Sequence, residues 1–428
     1  MNTTALGAYL ESPKAAQALA LLYGTERIPA QKERYRLLLQ RHRAFFGERE
    51  RVCFCSAPGR SEIAGNHTDH NNGRVLAAAV HLDTVAAVSP AEGNLVRLYS
   101  DGYEQPFVVD LGDLTVRPEE AGTSSALIRG VAAGFKDRGL PVGGFDAVVT
   151  STVGKGSGLS SSAAFEVMLC EILNALYGQE KLDEQERARI SQYAENVFFG
   201  KPSGLLDQMA SSVGGLVTMD FGRSPAAIEA LSFDFEAQGY ALVVLAAGGD
   251  HGELTDEYAA IPREMRQVAG LLGGKVLREI PRERMEEAIP RIKNRVSDRA
   301  ILRALHFYDE DARIPGLVHA LKQEDLKAFL AGIIASGQSS WTLLQNLFVP
   351  GRENHQELVL AMELSRRILK DRGGAWRVHG GGFAGTILAF VPLSLVPDYA
   401  ARMNAVFGEE ACTVLRVRPV GPCTLPES

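Results

Sequence analysis

Apolar positions along the chain repeat first with a helical period and then with a strand-like one. In the first 50 residues Tyr35, Leu38, Leu39 and Phe46 fall near one face of a helix, while Lys32, Arg34, Arg41 and Arg43 spread around the rest. That segment reads as a packing element. From Arg51 to Val149 the period shortens, predicting strands at Val52 to Cys55, Val75 to Val80, Thr84 to Val88, Leu95 to Tyr99 and Phe145 to Val149. One helix, about Ser125 to Arg138, interrupts them and stops at Gly139. The clearest helical pattern follows Gly158: Phe165, Met168, Leu169, Ile172, Leu173 and Leu176 share a face, and Gly178 ends it. A second helix runs from Glu184 to Phe199, a third starts after Pro202 and Ser203, and a strand follows Gly215. The apolar strand Ala241 to Ala247 is a natural opening for a second domain. Helices are then expected around Glu257 to Leu272, Asp298 to Phe307, Asp325 to Ile334 and His355 to Leu369, with strands at Thr386 to Val391 and Thr413 to Val417. Strands mixed with helices indicate an α+β layered fold.

With 428 residues the chain is long enough for two or three domains. Lys plus Arg is 45 and Asp plus Glu is 52, a net charge of −7 with the signs evenly mixed, so nucleic acid is not an expected partner. No apolar run approaches the roughly 18 residues of a membrane helix, and the N-terminus has no basic start followed by an apolar stretch. A cytoplasmic protein away from membranes is the expectation. The five cysteines fit neither a disulfide framework nor a zinc site and read as small buried apolar residues.

Four segments carry possible chemistry. Val153 to Ala164 places glycines and the serines 160–162 between a strand and a strong helix, where free backbone N–H groups and the helix dipole suit a phosphate. The spacing is not that of a GxxxxGK[ST] loop, and a flexible turn with a serine cap fits the local pattern almost as well. Between strands, Ala57 to Gly73 gathers Arg60, Glu62, Asn66, His67, Asp69 and His70; this is either a polar turn or a set of groups for a polyhydroxylated ligand. Glu195 and Asp207 flank a Gly-Lys-Pro-Ser break, so one closes a helix and the other opens the next. They could converge on one site or simply be solvated helix ends. The glycines 380–382 and 385 precede a strand, which disfavours dinucleotide binding and points to a hinge or a phosphate-facing loop.

Pro58-Gly59-Arg60 with His67-Thr68-Asp69, the stretch Gly156 to Ala163, and Gly380 to Gly385 together resemble the three signatures of the galactokinase branch of the GHMP small-molecule kinases, in order and spacing. The resemblance implies a two-domain α+β fold, here 1–225 and 226–428, with the active site between the halves. It implies ATP phosphates wrapped by Gly156, Ser157, Gly158, Leu159, Ser160, Ser161 and Ser162, with Mg²⁺ on Ser162 and Glu195. It further implies Asp207 facing the anomeric hydroxyl, Arg60 on the transferring phosphoryl group, and the sugar against Asn66, His67, Thr68, Asp69, Gly204 and Tyr258.

Three positions depart from that pattern. Asn66 stands where the family has a glutamate that contacts the sugar around C6, His70 stands for a tyrosine, and Glu62 displaces an asparagine. An amide at 66 removes a negative charge, so a C6 carboxylate would no longer be repelled there. Galactose is the expected substrate, with galacturonate as the competitor and a non-catalytic sugar sensor as the reading from another class. The complete serine run, with Arg60, Glu195 and Asp207 all present, favours catalysis.

Overall fold

The computed structural model describes residues 1–154, 158–178, 182–248, 254–383 and 385–426. The expected α+β layers are present, built on two sheets. The first holds β1 (Cys53–Ala64), β2 (Arg74–Pro90), β3 (Leu95–Ser100), β4 (Phe107–Asp110), β5 (Phe145–Ser151), β6 (Leu216–Asp220), β7 (Ala227–Leu231) and, from the far end of the chain, β12 (Cys423–Leu425). The second is antiparallel and runs β11 (Cys412–Leu415), β8 (Tyr240–Gly248), β10 (Gly385–Pro392), β9 (Ala375–His379). β2 is long enough to pair β5 through residues 84–90 and β6 through residues 74–78, so the two short strands read from sequence are one.

The helices are α1 (Thr3–Leu10), α2 (Pro13–Tyr23), α3 (Ile28–Phe46), α4 (Ser124–Asp137), α5 (Ser161–Tyr177), α6 (Glu184–Tyr193), α7 (Leu206–Val213), α8 (Thr255–Leu271), α9 (Arg282–Ile292), α10 (Asp298–Lys322), α11 (Leu326–Ser339), α12 (Glu357–Leu369) and α13 (Val396–Phe407). Strand alternation explains how they cover the first sheet. Phe54, Val85, Ala87 and Val148 face α2 and α3 through Leu19, Leu22, Tyr35 and Leu38, whereas Cys55, Ala86, Val88, Ala147 and Val149 face α4 and α5 through Val131, Val167, Met168 and Ile172. The N-terminal helices therefore pack as expected. Among the described residues no helix is long and apolar enough to cross a membrane.

Several expectations are corrected. β7 pairs β6 and β12 pairs β1, so a boundary at 225/226 is crossed twice by strands of the first sheet. β1 continues as a strand to Ala64, leaving 65–73 as the turn. α10 runs 15 residues beyond Phe307 because its acidic stretch is paired rather than solvated: Glu310 accepts from Ser336 Oγ and the Gly65 N–H, and Asp311 from Arg74 and Arg278. Cys55 and Cys170 are buried, but Cys53, Cys412 and Cys423 are half-buried, and none of the five is in a disulfide.

Candidate active site

β1, the N-terminus of α5 and the start of α7 meet at one carboxylate. Arg60 Nε and Nη2 donate to Asp207 Oδ1 and Oδ2 at 2.6 and 2.7 Å, a two-pronged pair whose planar geometry suits a guanidinium. Ser160 Oγ donates to Asp207 Oδ2 at 2.7 Å, and Arg60 also donates to the Gly158 carbonyl. Ser160 holds φ 56°, a left-handed conformation uncommon for serine, and makes no side-chain cap of α5; its hydroxyl is turned to Asp207 instead. Burial works to raise the Asp207 pKa, but the charge and hydrogen bonds of Arg60, with the bond from Ser160, outweigh it and hold the carboxyl below its ordinary value. The Asp207 side chain remains 30% exposed.

Glu195 lies beside this group. It sits in a π-helical turn, Ala194–Phe199, that extends α6, a widening of the helix often found where a side chain is aimed at a site. Ser162 Oγ (3.0 Å) and Lys201 Nζ (2.9 Å) share Oε1, while Ser203 Oγ (2.6 Å) and Gln208 Nε2 (2.7 Å) reach Oε2. Ser162 and Glu195 thus converge as a hydroxyl and a carboxylate, the oxygen donors a hard cation takes, and the Lys201 ammonium already marks a place for positive charge. Among the described residues there is no group of three or more His, Cys, Asp or Glu side chains that could hold a metal.

The turn after β1 holds Asp69 and His67, the residues expected at the sugar. Asp69 lies against Gly204, where a Cβ would come within 2.1 Å of Asp69 Oδ2, so residue 204 must be glycine for the two to meet. The Asp69 carboxylate is 14% exposed, faces His70 Nε2 at 3.8 Å and accepts no hydrogen bond among the described residues. His67 donates from Nε2 to the Gly381 carbonyl at 3.0 Å, and Tyr258 donates to the Gly382 carbonyl at 2.7 Å. Burial, then the nearby His70, lowers the His67 pKa to about 3, so the ring is neutral; burial raises Tyr258 to about 12.

Asn66 and Thr68 are corrections. Both are fully buried, and their side chains are spent inside the protein. Asn66 Nδ2 donates to Glu62 Oε1 (2.9 Å) and the Gly380 carbonyl (2.7 Å), while its Oδ1 accepts from Asn346 Nδ2 (2.8 Å) and Ser340 Oγ (3.3 Å). Thr68 Oγ1 lies 2.9 Å from the Gly65 carbonyl and 2.6 Å from that of Arg74, closing the turn. An amide with all four hydrogen-bonding positions filled has none left for a sugar.

In the glycine loop the carbonyls of Gly380, Gly381 and Gly382 accept from Asn66, His67, Asn346 and Tyr258, which ties the loop to the turn after β1. The strands on either side of it do touch the phosphate-loop segment. A Cβ on Gly158 would meet Thr386 Oγ1 at 2.4 Å and His379 Nδ1 at 2.8 Å. Gly156 and Ser157, expected phosphate ligands, lie outside the described residues, as does Ala384.

The sequence reading missed Lys201, Gln208, Arg377 and Asn346. Gln208 adjoins Asp207 and could have been flagged, whereas Arg377 carried no local signal: it is fully buried and donates from Nη2 to Glu62 Oε1 at 2.9 Å, 315 residues away. Burial pushes the Glu62 carboxyl upward, against the opposing pull of Arg377 and Arg60.

Residues 40–90 match the galactokinase galactose-binding signature and residues 126–215 the GHMP kinases N terminal domain. A galactokinase of Streptomyces coelicolor is 32% identical over 366 residues, 85% of this chain and 90% of that protein. The fold resembles Lactococcus lactis galactokinase complexed with galactose, with a TM-score of 0.78 and 22% identity over 90% of this chain and 98% of that one. The mevalonate kinase of Methanococcus jannaschii follows at a TM-score of 0.62 and 15% identity, covering 86% of this chain and 99% of that one. On its identity to the Streptomyces protein across nearly the whole length of both, the chain belongs to the galactokinase family of GHMP kinases.

Proposed function

We propose that this protein transfers the γ-phosphoryl group of ATP to the anomeric hydroxyl of galactose, giving galactose 1-phosphate. The observation that carries the reading is the chain Arg60–Asp207–Ser160, which fixes one carboxylate between a guanidinium and the residue that precedes α5. In this reading the N-terminus of α5, with Gly158, Leu159, Ser160, Ser161 and Ser162, receives the ATP phosphates through backbone N–H groups and hydroxyls. Ser162 and Glu195 hold Mg²⁺, which when bound neutralises charge on the phosphates. Asp69, backed by Gly204, accepts sugar hydroxyls, and His67 and Tyr258 form the wall beside them.

Asp207 is a weak base with its pKa lowered by Arg60, and a loose phosphoryl-transfer transition state asks little basicity of it. It orients the hydroxyl and takes its proton as the new O–P bond forms and the ADP oxygen leaves. Arg60, charged throughout, faces the oxygens of the phosphoryl group in flight. The test is ADP release with Mg·ATP and galactose, galacturonate, N-acetylgalactosamine or glucose, compared as kcat/KM. Galactose is expected to lead by at least tenfold, and silence on all four sugars contradicts a kinase and favours a sensor.

A further inference from the structure

Two of the three positions that depart from the family pattern, Glu62 and Asn66, are hydrogen-bonded to each other at 2.9 Å. Of that pair Asn66 is sealed and fully partnered. Glu62 is different. Its carboxylate sends Oε1 to both Arg377 and Asn66, while Oε2 has no hydrogen-bond partner among the described residues and is not among the atoms closed off from solvent. The residue is nine-tenths buried, at 7% exposure, so the opening that reaches Oε2 is narrow. Arg60 and Glu62 lie two apart on a regularly paired stretch of β1, opposite Ala79 and Ala77, and therefore point to the same side, where Arg60 meets Asp207.

We propose that Glu62 is a specificity-determining residue whose free Oε2 accepts a hydrogen bond from one ring-substituent hydroxyl of the sugar. Arg377 and Asn66 fix its position by clamping the other oxygen. An acceptor that no protein group fills and that a narrow opening reaches suits a contact that the ligand completes. With Asp69 it gives the sugar end two carboxylates whose hydrogen-bond capacity is unfilled, complementary to a neutral polyol and adverse to an acidic sugar. The negative charge that Asn66 lacks is present four residues earlier.

This inference rests on the sugar-kinase reading above, and a substrate series separates the two. Wild type and Glu62→Gln are assayed with Mg·ATP on galactose and its 2-, 3-, 4- and 6-deoxy derivatives. In the wild type one deoxy sugar is expected to lose at least tenfold in kcat/KM through Glu62, and in Glu62→Gln that same penalty shrinks to about threefold or less while kcat/KM on galactose itself falls by about the factor the penalty has lost. Glu62→Asp, which keeps the charge and the partner of Arg377 but withdraws the oxygen, covers the case in which the glutamine variant folds poorly; it is expected to raise the KM for galactose while still disfavouring galacturonate. Identical penalties for every deoxy sugar in all three proteins overturn the assignment of Glu62 while leaving the kinase reading intact. Absence of turnover on galactose itself in the wild type overturns both.

Discussion

Two Arg–Asp clusters sit near the first sheet, built from the same chemistry and used differently. Asp83 accepts from Tyr23 (2.5 Å), Ser56 (2.6 Å), Arg34 (2.7 Å) and Arg418 (3.3 Å) with no exposure at all, and ties the N-terminal helices and the segment before the last strand to β2. Asp207 is held as firmly by Arg60 and Ser160, yet 30% of its side chain stays open. Opposing charge lowers the proton affinity of both against the effect of burial. A perturbed carboxylate therefore does not by itself mark a site; exposure of the side chain and the bond from Ser160 at the start of α5 separate the two.

That difference gives substitutions with opposite signatures. Asp207→Asn is expected to lower kcat by about 10³-fold or more while sugar and nucleotide still bind, as judged by calorimetric titration. Asp83→Ala is expected to cost about 3–5 kcal/mol in denaturant unfolding, because it strands buried cations, with little change in kcat of the folded fraction. Ser162→Ala should lower kcat about tenfold and raise the Mg²⁺ concentration needed for half-maximal rate, and an unchanged Mg²⁺ dependence would remove Ser162 from the metal site.

Acid pH sharpens the contrast further. Both aspartates have folded pKa values below the ordinary 3.8, so the stability they contribute is complete above that value and is lost as pH falls through the folded ones. Glu166 behaves in the reverse sense. It is fully buried behind Glu195, bonded through Oε2 to Gln208 with Oε1 unpartnered, and burial together with the Glu195 charge pushes its pKa well above 4.5. Its contribution is present below its unfolded value and is lost as pH rises, so Glu166→Gln is expected to raise Tm at pH 8 by more than at pH 4.

What was legible in the sequence was local. The helix after Gly158 was readable from its period and its glycine stop, whereas Arg60, Asp69, Glu195 and Asp207 were picked out through the family resemblance, whose motifs are short and local. The reach of α10 was not, since Glu310 and Asp311 look solvated until Ser336, Arg74 and Arg278 are brought beside them. Nor was the pairing of Glu62 with Asn66, since Asn66 alone reads as a sugar contact. The residues that hold the pair, Arg377 and Asn346, come from the other half of the chain and follow no local pattern.

The most direct measurement of the central claim follows the phosphorus resonances of Mg·ATP and galactose in the presence of wild type and of Asp207→Asn. The account predicts that the wild type makes an anomeric sugar phosphate in step with ADP, while Asp207→Asn binds both ligands and makes at most about a thousandth as much product per unit time. Product formation by Asp207→Asn within tenfold of the wild-type rate would contradict it.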